Sequence, residues 1–158
     1  MTTKSDFTDE EWRRVVRAPM VAGMVISLAD PGGPIEATKE TLASMRSSTN
    51  PPSHEQLLTE VALEVQAMSQ QRQNPLSGYR PGKDEPGRQV LEELQAVEEL
   101  VTAKATPEEA AAFGRWLVAA AQAAADAAKE GGFLGFGGEQ VSERERSMIE
   151  QVRAAVGG

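Results

Sequence analysis

Three carboxylates, Asp30, Glu36 and Glu40, have the types and spacing to hold a hard cation. They surround the turn Asp30-Pro31-Gly32-Gly33-Pro34, and Glu36 and Glu40 lie one helical turn apart if a helix starts near Ile35. The EF-hand pattern is not met. Counting from Asp30, the third and fifth positions are Gly32 and Pro34, and the twelfth is Thr41. A helix end followed by a helix start yields the same acids through ordinary dipole preferences, so a divalent cation is a candidate ligand beside a plain structural turn.

A second chemical candidate is Gly-Gly-Phe-Leu-Gly-Phe-Gly-Gly over residues 131–138. A phosphate loop needs a Gly-Lys-Ser/Thr step, which is missing, and the dinucleotide fingerprint fails because Gln140 stands where its third glycine belongs. The structural reading is an ordered turn whose Phe133, Leu134 and Phe136 plug the core. If those three side chains are exposed instead, they form, with Trp116 on the preceding helix, a candidate interaction surface.

The acids Glu92, Glu93, Glu98 and Glu99 read as a solvated face, since a di-iron carboxylate bundle would need Glu-x-x-His pairs that do not occur. His54 beside Ser53 cannot easily act as base to its own neighbour, and Ser53 is explained as a helix cap. Arg13, Arg14 and Arg17 form a basic cluster among acids, as a salt-bridged surface would. No catalytic set emerges from these residues.

Composition narrows the classes further. The chain has 158 residues, 40% hydrophobic and 25% charged, which suits one globular domain spanning 1–158. Its 16 basic and 24 acidic side chains leave a net charge of -8, against a nucleic-acid or anionic-membrane binder. With no cysteine and one histidine, disulfides, thiolate metal sites and multi-histidine sites are excluded. The opening residues lack the apolar core of a signal peptide, and Ala18–Ala29 is about half a bilayer span, so a cytoplasmic location is expected.

Six helices and no strand are expected. The first runs over Phe7–Ala29, capped by Thr8 with Glu11, with a kink or break just before Pro19. The second covers Ile35–Ser47. The third covers His54–Gln71, capped by Ser53, with Leu57, Val61, Val65 and Met68 on one face. Residues 74–87 are too rich in proline and glycine for regular structure, with Leu76 and Tyr79 available to anchor them.

The fourth helix, Arg88–Ala105, carries a seam of Val90, Leu94, Val97 and Val101. Thr106-Pro107-Glu108-Glu109 announces the fifth, which runs to Lys129 with 11 alanines among residues 110–128. So many small side chains allow close approach, which places this helix near the centre. A sixth helix follows Ser142, with Ile149, Val152 and Val156 on its apolar edge. The fold class is an all-α, single-domain bundle without a sheet.

Two resemblances rest on particular segments. Glu11-Trp12-x-x-Val15-x-x-Ala18-Pro19-Met20, taken with residues 131–145, resembles a group of small uncharacterised bacterial helical proteins, which implies the fold and no activity. Ala29-Asp30-Pro31-Gly32-Gly33-Pro34-Ile35-Glu36 is similar to the acidic interhelical turn of TerB-like tellurite-resistance domains. That turn is implicated there in metal binding. The resemblance implies Asp30, Glu36 and Glu40 as cation ligands, although Pro31 interrupts the family's Asp-Gly pair. A loosened copy over Gly138–Glu145 has no aspartate.

The expected function is non-enzymatic contact with a protein partner or with a second copy as a homodimer, through residues 110–128 or 131–138. No cofactor, nucleic acid or membrane is expected. A TerB-like divalent-cation or stress-response module is the alternative.

Overall fold

The structure is a computed structural model that describes residues 3–29, 45–73, 76, 79, 86–130 and 143–157. Helix α1 spans Asp9–Ala29 and starts at its expected cap. The Glu11 N–H donates to Thr8 Oγ1 (3.1 Å) and the Thr8 N–H donates to Glu11 Oε1 (2.8 Å), the reciprocal capping box. Phe7 lies outside the helix in extended backbone and packs on Trp12, ring centroids 5.7 Å apart. That contact is a hydrophobic staple and sets the angle at which the chain enters α1. A short 3-10 turn, Lys4–Asp6, precedes it, closed by the Thr3 N–H donating to Asp6 Oδ2 at 2.9 Å.

Of the kink or break expected just before Pro19, the break does not occur, and α1 continues through the proline. The proline forfeits a helical hydrogen bond, at a cost on the order of 3 kcal/mol. Around it Val15, Val16, Met20, Val21, Val25 and Ile26 are each at most 3% exposed. Burial is worth roughly 1.5–3 kcal/mol for each such side chain, so packing outweighs the lost bond.

Residues 45–49 are helical (α2) and end at Asn50, whose side-chain amide donates to the Arg46 carbonyl at 2.7 Å. Helix α3 is Gln56–Gln70, α4 is Pro86–Lys104, α5 is Pro107–Glu130 and α6 is Glu143–Ala155. Helix α4 thus begins inside the stretch read as loop, with Pro86 in the first helical position where its missing N–H costs nothing. Its seam of Val90, Leu94, Val97 and Val101 is fully buried.

Helices α1 and α5 form the central pair. Each packs against α3, α4 and α6, and their most extensive contact is with each other. Ala18 and Ala22 on α1 and Ala112, Ala120, Ala121 and Ala124 on α5 are at most 1% exposed, which fits the close approach expected of an alanine-rich helix. That apolar face is therefore filled by the chain's own helices. Gly114 on α5 admits the end of α6: a Cβ there would stand 3.1 Å from the Val156 carbonyl oxygen. Leu76 and Tyr79 pack against the core as anchors. The described residues form an all-α bundle with no strand, and among them no helix is long and apolar enough to cross a membrane.

Candidate functional site

Six of the seven residues singled out from the sequence, Asp30, Glu36, Glu40, Phe133, Leu134 and Phe136, lie outside the described residues. The seventh, Trp116, is 1% exposed. Its indole N–H donates to the Ser47 carbonyl at 2.6 Å, and its ring meets Phe113 edge-on at 6.1 Å. Trp116 therefore ties α2 to α5 inside the core. Among the described residues no group of three or more histidines and acids could hold a metal.

The acid run on α4 is not one solvated face. Glu92 and Glu99 are exposed, but Glu93 receives two bonds from Arg14 (3.2 and 3.0 Å) and one from Arg17 (3.3 Å). That pairing raises the Arg14 pKa, chiefly through the hydrogen bond to Glu93. Glu98 is 9% exposed, its Oε2 has no hydrogen-bond partner among the described residues, and burial alone pushes its carboxyl up to about 8. Its Oε1 lies 3.5 Å from where a side chain on Gly114 would begin, so the bare glycine gives it room. Glu98 follows Val97 of the seam, and the rotation of α4 carries it into the α4–α5–α6 junction.

A groove of about 870 Å³ opens between α1 and α3. Lys4, Asp9, Arg13, Glu64, Arg72 and Gln73 line it, with Met68 half-buried along one side and Trp12 and Val16 beneath. Glu64 is engaged: it accepts the Trp12 indole N–H at 3.0 Å and the Lys4 ammonium at 3.1 Å, which together hold its carboxyl below its ordinary value, the Trp12 bond most of all. Arg17 also lines the groove, and its guanidinium lies 4.8 Å over the Tyr79 ring. Desolvation raises the Tyr79 pKa, Glu93 adds to it and Arg17 opposes it.

Arg13 and Arg72 differ from the other cations of this groove. Both are exposed, and neither meets a carboxylate among the described residues. Arg72 ends α3 in the left-handed region, φ 58°. The Gln73 N–H donates to the Met68 carbonyl (2.8 Å) and the Arg72 N–H to that of Ser69 (3.0 Å), the Schellman closure that usually has glycine at this position. The Arg13-Arg14-Arg17 cluster is visible in the sequence, whereas Arg72 carries no local signal because glycine is the expected residue. Chemically, the groove offers guanidinium hydrogen-bond donors and positive charge to an anionic group. No family model matches the chain, and no curated protein or solved structure proves similar to it.

Proposed function

We propose that the chain is a non-enzymatic, cytoplasmic protein that works through contact with a protein partner or a second copy of itself, and that the α1–α3 groove is the contacting surface. The observation that carries this reading is the pair of exposed arginines, Arg13 and Arg72, which meet no carboxylate among the described residues, on a groove of about 870 Å³. The groove presents long, adaptable side chains beside Met68, which suits a protein surface better than a small rigid ligand. Helix α5 lends less support to an interface, since most of its alanines are buried within the chain.

The test is photo-crosslinking in the native cell, with a benzophenone side chain at position 9 or 73, which line the groove and leave both arginines in place, and a control at the exposed Asp126 of α5. A discrete adduct from both groove positions and none from the control is expected. An adduct of twice the chain's mass identifies self-association. Absence of adducts from the groove positions would overturn the reading.

A further inference from the structure

We propose that the α1–α3 groove takes an acidic segment of a partner protein, whose carboxylates pair with Arg13 and Arg72 and whose apolar side chain lies on Met68; this rests on the contact reading above. The argument begins with charge. A chain of net charge -8 repels anions at long range, so a cation-rich groove on it is a local inversion of its own field. The other two cations of the groove are occupied: Lys4 meets Glu64 at 3.1 Å and Arg17 meets Glu93 at 3.3 Å. Arg13 and Arg72 meet no carboxylate among the described residues.

Each guanidinium presents a planar fork that matches a carboxylate with two parallel bonds. The two arginines come from different helices, one turn into α1 and at the end of α3, so each wall of the groove offers one guanidinium to a ligand. A peptide with more than one acid can pair with both. A nucleic-acid backbone fits less well, because Asp9 and Glu64 line the same groove and repel a continuous row of phosphates. The backbone at Arg72 adds a second observation. A left-handed helix end accepts glycine without strain, yet the residue there carries a charge into the groove.

The experiment is fluorescence anisotropy on the full chain, with a labelled peptide of about twelve residues built from glutamate and leucine. The same peptide with lysine for glutamate and a single-stranded DNA of about equal charge serve as comparisons. The acidic peptide is expected to bind saturably and to weaken by about tenfold or more in R13E/R72E, less in R13K/R72K, and as salt rises from about 50 to about 300 mM. Because both arginines are exposed, the variants should keep the melting temperature, which is checked alongside. Equal binding of the lysine peptide, tighter binding of the DNA, or no effect of R13E/R72E would overturn the acidic occupant. If the peptide does not bind while positions 9 and 73 still crosslink a partner, the contact reading stands and only its acidic occupant is refuted. Failure of both overturns both.

Discussion

Glu98 shows what burial does to a carboxyl whose Oε2 has no partner among the described residues. Its carboxyl titrates at about 8 against an ordinary value of 4.5, and desolvation is the cause. Between those values the folded protein holds a proton that the unfolded chain has released. Stability must then fall as pH rises from about 4.5 to about 8 and level off above, where both states are ionised. Glu98→Gln, a neutral residue of the same shape, should flatten that part of the profile and raise stability at pH 8 and above. Urea midpoints of both proteins across this range decide it, and parallel profiles would place the dependence elsewhere. Arg72 carries the opposite kind of cost, in the backbone. A left-handed non-glycine residue costs roughly 1–2 kcal/mol, of which glycine's extra unfolded-state freedom returns part. Arg72→Gly should therefore stabilise the fold by about 0.5–1 kcal/mol while removing one guanidinium from the groove.

At the scale of helices, the N-terminus of α3 depends on α5. Its N-cap is Glu55, which makes no capping bond, and Ser53 does not take the place expected of it. The cap comes from Glu109 instead, 5% exposed, whose Oε2 accepts the Leu57 N–H at 3.0 Å. The other oxygen, Oε1, completes the capping box of α5 with the Thr106 N–H (3.4 Å) and hydroxyl (3.2 Å), while the Glu109 N–H donates to Thr106 Oγ1 at 3.1 Å. One carboxylate thus starts two helices. An ordinary cap is worth about 1 kcal/mol, and a buried N–H left unpaired costs about 1–3 kcal/mol. Glu109→Ala should destabilise by about 2–4 kcal/mol, and Thr106→Ala by only about 1 kcal/mol, measured by chemical denaturation. The same contrast explains what was legible beforehand. Thr8 with Glu11 and Thr106 with Glu109 sit three residues apart, so both boxes can be read locally. The Glu109–Leu57 bond spans 52 residues and leaves no mark near Ser53. Glu98 was hidden among three other acids, since only the facing Gly114 gives it room.

For the whole molecule, apolar periodicity made the helices and their seams legible, while tertiary packing decided the continuity of α1 through Pro19. The groove was half legible: one wall showed as an arginine cluster, and the other needed α3 folded back beside α1. Because α1 and α5 each touch α3, α4 and α6, the bundle has no natural seam along which to come apart. One cooperative transition is expected. Trp12 stands beside α3 and Trp116 beside α2, so the single-tryptophan variants Trp116→Phe and Trp12→Phe report from different places. Each should show one fluorescence midpoint coincident with its own loss of helical circular dichroism; separated midpoints would mean that parts of the bundle unfold independently. The doubled role of Glu109 bears on timing as well. A helix end ordinarily frays, and its first amides exchange with solvent through small local openings. The Leu57 amide is held by a carboxylate on another helix and can be released only when α3 and α5 separate or Glu109 swings away. Its deuterium uptake should accordingly track the slow opening of the whole bundle, and in Glu109→Ala it should revert to the fast exchange of a free helix end.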